Sequence, residues 1–175
     1  MPLDLRQFIR LVPDFPKPGI VFRDITPLLA NSAALDQAVS QLAEPYRQRN
    51  IDIVAAVESR GFIFGAAVAR QLQAGFVPIR KPGKLPAATA SATYQLEYGT
   101  DTIEIHTDAI SPGQRVLLVD DLLATGGTMA AACQLVQGLG GQIVAVAFLI
   151  ELAFLHGRER LADHDILTLI SYDAE

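Results

Sequence analysis

Val116-Leu117-Leu118-Val119-Asp120-Asp121-Leu122-Leu123-Ala124-Thr125-Gly126-Gly127-Thr128 decides the fold. Val116 to Val119 is apolar without alternation, so it predicts a strand covered on both faces, as in a parallel sheet flanked by helices. Thr128 to Leu139 then reads as a helix ended by Gly140 and Gly141. Between strand and helix, Gly126 and Gly127 allow the backbone to come close to a ligand. The helix start offers unpartnered N–H groups and the positive end of its dipole, and the Thr125 and Thr128 hydroxyls add donors beside Ala124. These features suit a phosphate. The Asp120 and Asp121 carboxylates at the exposed strand end repel a bare phosphate but suit hydroxyls, directly or through a hydrated magnesium ion. A sugar phosphate satisfies both halves.

Working outward, Ile51 to Val57 reads as a strand. The loop Glu58-Ser59-Arg60-Gly61 follows, then a helix from Phe62 to Leu72 and a second strand at Phe76 to Ile79. Arg80 to Thr100 is long and polar, with Pro82, Gly83, Pro86 and Gly99, and reads as a mobile loop. Thr102 to Thr107 alternates as a half-exposed strand, and Ser111-Pro112-Gly113 turns the chain. Ile143 to Ile150 and Ile166 to Ile170 supply further strands. Leu35 to Arg49 reads as a helix, and the proline-containing stretch Pro13 to Leu28 as an irregular segment over the sheet. The alternation of strands and helices predicts an α/β fold: an open, mostly parallel twisted sheet flanked by helices, with right-handed crossovers and a ligand site beyond the carboxyl ends of its strands. One domain over 1–175 is expected, with residues 1–34 as a small N-terminal hood and 81–100 as a flexible loop.

The formal net charge of −5 argues against broad affinity for nucleic acid or acidic membranes. An anionic ligand must therefore be held by local groups. Cys133 stands alone in the sequence, which suits a reducing cytoplasm. Asp4, Arg6 and Arg10 interrupt the N-terminal region, so no export signal is expected, and the apolar run Ile143 to Ile150 is too short to span a bilayer.

Neither a Gly-x-x-x-x-Gly-Lys-Ser/Thr string nor a Gly-x-Gly-x-x-Gly after a strand is present, so P-loop and dinucleotide chemistry lose their main support. The Asp120–Thr128 string resembles the phosphoribosyl pyrophosphate (PRPP) motif of type I phosphoribosyltransferases. Phe15-Pro-Lys-Pro-Gly-Ile-Val-Phe22-Arg23-Asp24-Ile-Thr26-Pro27, Glu58-Ser59-Arg60-Gly61-Phe62 and Leu96-Glu97-Tyr98-Gly99 narrow the resemblance to the adenine-specific branch of that family. The matching segments span nearly the whole chain.

The resemblance implies transfer of the phosphoribosyl group of PRPP to adenine, giving AMP and pyrophosphate, with Mg2+ carried by PRPP and reaching Asp120 through water rather than through a dedicated protein cage. It implies a PRPP site made of Asp120, Asp121, Ala124, Thr125, Gly126, Gly127, Thr128, Glu58, Ser59, Arg60, Lys81, Lys84 and Tyr98. Val21, Phe22, Arg23 and Leu122 would hold adenine. Glu97 is the acid/base candidate, and Asp121 and Arg60 would stabilise the charges that develop on the sugar and the leaving group. The family resemblance further implies a homodimer, with Phe62 to Ala69 as a candidate interface. A transferase for another purine stays open, as does a non-catalytic PRPP sensor acting on nucleic acid; the latter would need a basic face, of which the charge gives no hint. The Ala87-Ala-Thr-Ala-Ser-Ala-Thr93 stretch departs from the bulkier loop of relatives. His106, His156 and His164 have no spacing suited to a metal site.

Overall fold

The computed structural model describes residues 2–96 and 99–175. In chain order these form β1 (Arg10–Val12), β2 (Phe22–Asp24), α1 (Thr26–Ala30), α2 (Ser32–Ala43), β3 (Ile53–Val57), α3 (Arg60–Leu72) and β4 (Gly75–Ile79). Then come β5 (Thr89–Gln95), β6 (Thr100–His106), β7 (Arg115–Leu123), α4 (Gly127–Gly138), β8 (Gln142–Leu152) and β9 (Ile166–Tyr172).

Five strands pair in the order β4-β3-β7-β8-β9, and every pairing is parallel. The central place of β7 follows from its sequence. Val116, Leu117, Leu118 and Val119 are all fully buried, and burial of such side chains stabilises by about 1.5–3 kcal/mol each. Successive residues feed opposite cores. Leu117 and Val119 pack with Leu42, Phe64 and Val68 of α2 and α3. Val116 and Leu118 pack with Met129 and Val136 of α4 and with Ile103 and Ile105 of β6.

α2 begins earlier than Leu35 because the Asn31 side chain caps it, accepting from the Ala34 N–H at 3.0 Å. It ends before Arg49, giving way to a short 3-10 turn at Pro45, which has no N–H to continue the ladder. In α3, a Cβ on Gly65 would stand 2.5 Å from that of Ala56, so this glycine lets the helix press onto β3.

Two segments hold more regular structure than expected. The segment read as a mobile loop contains β5, paired antiparallel with β6 from Thr89↔His106 to Gln95↔Thr100. Ala90, Ala92 and Tyr94 of β5 are partly buried against the α4-side core while Ser91, Thr93 and Gln95 are exposed, so small residues lie where the helix comes close. The N-terminal stretch is also more ordered than its prolines suggest. β1 and β2 form an antiparallel ribbon with Leu11 opposite Arg23, and α1 follows with Leu28 fully buried.

Candidate active site

β7 runs on through Leu123, so both acids belong to the strand rather than to an exposed end. Asp121 is buried, with 7% exposure, because its Oδ2 accepts from Arg60 Nε at 2.5 Å. This corrects the expectation that both acids stand exposed. Arg60 is the first residue of α3, and its partner lies 61 positions away in sequence. Asp120 Oδ1 accepts the Asp121 N–H at 2.8 Å, and a Cβ on Gly61 would sit 2.7 Å from that same oxygen. Gly61 is therefore what lets the start of α3 meet the acids. Burial, and then the Asp121 carboxylate, push the Asp120 carboxyl well above its ordinary range, against the smaller pull of Arg60. For Arg60, desolvation opposes the charge, but Asp121 outweighs it and keeps the guanidinium ionised.

The glycine loop depends on close backbone contact. Gly126 caps α4 at φ +83°, and a Cβ there would lie 2.5 Å from the Gly157 carbonyl oxygen. Reciprocally, a Cβ on Gly157 would collide with the Ala124 carbonyl oxygen. The loop is thus pressed against the 3-10 turn at Gly157–Leu161. The first N–H groups of α4 have no partners within their helix, and they border a recess of about 70 Å³ lined by Asp120, Leu122 and Ala124 to Met129.

A second cleft of about 360 Å³ opens beside it, lined by Val57, Glu58, Ser59, Arg60, Lys81, Tyr94, Asp121 and four groups shared with the recess, Asp120, Leu122, Ala124 and Thr128. Its size is that of a small-ligand site. Apart from Asp120, its charges are already paired. Glu58 Oε1 accepts from the Lys81 N–H at 2.7 Å and from Arg80 Nε at 3.3 Å. Burial raises its pKa, but these donors outweigh burial and hold the carboxyl below its ordinary value. The Lys81 ammonium pairs with Asp101, which also accepts from the Tyr94 hydroxyl at 3.2 Å.

Phe22 is outside the cleft lining; its ring lies 5.5 Å from the Arg60 guanidinium and meets Phe15 edge-on at 5.3 Å. Val21 is partly buried. Arg23 is buried away from the cleft lining, with its guanidinium on the Val21 carbonyl at 2.5 Å and over the Tyr172 ring at 4.8 Å. Lys84 is exposed and outside the lining, and Glu97 and Tyr98 lie outside the described residues.

Among the described residues no group of three potential ligands could cage a metal ion. His106 Nε2 accepts from the Ala87 N–H at 3.2 Å, and His156 faces Glu159 at 3.8 Å. Cys133 is buried, which pushes its thiol up to about 12.

The sequence reading missed Tyr94 and Asp101. Tyr94 completes the i, i+2 series begun by Ala90 and Ala92, a signal masked by the alanines. It also missed Gly157 and the Glu151–Arg158–Thr168 network beside it, in which Arg158 reaches the two Glu151 oxygens at 2.7 and 2.8 Å. An acid closing a wholly apolar strand, with an arginine seven residues on, was the available sign.

The phosphoribosyl transferase domain matches residues 25–171. Adenine phosphoribosyltransferase of Acidobacterium capsulatum is 59% identical over 168 residues, covering 96% of this chain and 93% of the relative. The crystal structure of adenine phosphoribosyltransferase from Thermoanaerobacter pseudethanolicus superposes with a TM-score of 0.94 at 53% identity, covering 97% of this chain and 98% of that one. The Saccharomyces cerevisiae enzyme, in complex with adenine and an imino-altritol bisphosphate, gives 0.90 at 40% identity, over 95% and 96% of the two chains.

Proposed function

Because the chain belongs to the phosphoribosyl transferase family, we propose that it transfers the 5-phosphoribosyl group of PRPP to adenine, forming AMP and pyrophosphate in purine salvage. One observation carries this reading. The half-buried Asp120 and the buried Asp121 of β7 lie where the recess at the glycine turn before α4 adjoins a cleft lined by Arg60 and Lys81, the two sharing Asp120, Leu122, Ala124 and Thr128.

The recess is lined by no cationic side chain. A 5-phosphate there would be held by the α4 amides and the Thr125 and Thr128 hydroxyls. Asp120 and Asp121 then face the ribose hydroxyls. Arg60 binds Asp121 through Nε, which leaves its two terminal NH2 groups for the diphosphate, beside Ser59 and Lys81. As the anomeric bond breaks, the acids stabilise positive charge on the sugar and the cations stabilise the departing pyrophosphate.

Magnesium bound to PRPP would supply further neutralisation of the diphosphate. The chain's residues fit a water-separated ion near Asp120 better than a protein cage, because Asp121 is occupied by Arg60. Leu122 and Phe22 would pack on the purine, with Val21 to Arg23 reading its edge, and Glu97 would relay the proton at the attacking nitrogen. Lys84 and Tyr98 would engage the phosphates as the segment between β4 and β6 closes and excludes water. The same reading includes a homodimer and a cytoplasmic setting; among the described residues no helix is long and apolar enough to cross a membrane.

The test is incubation of the purified chain with magnesium, PRPP and adenine, hypoxanthine or guanine in turn. AMP from adenine, with little product from the other bases, is the expected result. Product from hypoxanthine or guanine at equal or greater kcat/KM would overturn the base assignment, and no nucleotide from any base would overturn the enzyme.

A further inference from the structure

β2 carries the proposed purine strip, yet it belongs to a ribbon of two three-residue strands outside the main sheet. Such a ribbon is marginal by itself. Ile9 and Ile25 anchor its ends in the core, and Phe22 meets Arg60; a further attachment to the body runs through Arg23 and the carboxyl end of β9. The Arg23 guanidinium lies 4.8 Å from the centre of the Tyr172 ring, and Arg6 approaches the same ring at 5.3 Å. Arg23 donates to the Val21 carbonyl at 2.5 Å and to the Ala174 carbonyl at 3.3 Å, while Arg6 donates to the Ser171 carbonyl at 2.6 Å. Arg23 is 7% exposed, and its buried Nε has no hydrogen-bond partner among the described residues. An arginine buried with one donor unsatisfied is held by its ring and its two carbonyls.

We propose that Tyr172 is a positioning residue for base recognition: through Arg23 it fixes the Val21 carbonyl and the pitch of β2, and so the gap into which the purine slides. The inference rests on the reading of Val21 to Arg23 as the purine strip. Tyr172 lines neither the recess nor the cleft. Its ring face matters and its hydroxyl does not, since among the described residues the ring faces Arg23 and no hydrogen bond of that hydroxyl reaches the strip. An aromatic face over a desolvated guanidinium is worth enough to move binding about tenfold.

Steady-state kinetics of Tyr172→Leu, Tyr172→Phe and Arg23→Met test this. Tyr172→Leu is expected to raise KM for adenine about tenfold and that for PRPP less than about twofold, with Tyr172→Phe restoring both. Arg23→Met, the second variant should Tyr172→Leu fold poorly, is expected to show the same split. Equal rises in both KM values, an unchanged adenine KM, or failure of Tyr172→Phe to restore it would overturn the proposal. A wild-type chain that makes no AMP refutes instead the reading on which it rests.

Discussion

The two loops that face the cavity hold their ligand groups in opposite ways. The loop after β7 presents backbone, and what fixes it is steric: Gly126 and Gly157 touch where no Cβ fits. The loop after β3 presents side chains, and what fixes it is charge: Arg60 is spent on Asp121 and Glu58 on Arg80 and the Lys81 amide, while Lys81 itself, after β4, is spent on Asp101. The first is ready before the ligand arrives. The second must share or exchange partners when a diphosphate enters. Substitutions in the first loop should therefore act by displacement and in the second by leaving a charge without its partner.

The largest effect should come from Gly126→Ala, which puts a Cβ 2.5 Å from the Gly157 carbonyl at a positive φ. A loop moved by about 1 Å should lose about 100-fold in kcat/KM for PRPP, measured by AMP formation, with the fold intact by circular dichroism. A loss under about threefold would show that the amides are not the grip.

Arg60→Met should follow, lowering kcat/KM about 30-fold and also lowering Tm, because it leaves the buried Asp121 carboxylate alone. Adding Asp121→Asn should recover much of the Tm and none of the activity. Recovery of both would mean that the pair is structural only.

A smaller change is expected from Asp101→Asn, which releases Lys81. KM for PRPP should fall about twofold to threefold at low salt, with a steeper dependence on ionic strength. A rise in KM would show that Asp101 aims Lys81 rather than detains it.

The smallest is Asp120→Asn in the ligand-free chain. The folded pKa of Asp120 lies above its unfolded value, so its favourable contribution is complete below about 3.8 and is lost as pH rises through the folded value. The asparagine avoids that loss, so Tm should exceed wild type at pH 8 and the difference should shrink towards pH 4. Equal Tm at both pH values would remove the buried-acid account.

Much of the scaffold was legible in residues because burial on both faces leaves an unbroken apolar run. Val116 to Val119 and Ile143 to Ile150 announced the two strands that flank the site, and the glycine turn between β7 and α4 declared itself. β5 escaped because Ala90 and Ala92 are small for reasons of distance to α4, not of exposure, and small residues carry little hydrophobic alternation. The ribbon of β1 and β2 escaped because three-residue strands give no period to read. In the site, Asp120, Asp121, Arg60 and the glycine loop do converge. Their pairing does not follow from spacing, since Arg60 and Asp121 meet only once α3 has packed across β7. Asp101 was invisible for the same reason: its role lies in a partner 20 positions away.

The central claim is that one sugar phosphate spans the acid pair and the glycine turn. A crystal structure of the chain with PRPP and magnesium tests it most directly. The 5-phosphate should lie within hydrogen-bond distance of the Thr125 to Thr128 amides, with the ribose hydroxyls towards Asp120 and Asp121 and the diphosphate at Arg60. A 5-phosphate seated at Arg60 and Lys81 instead, with the α4 amides on solvent, would contradict the account.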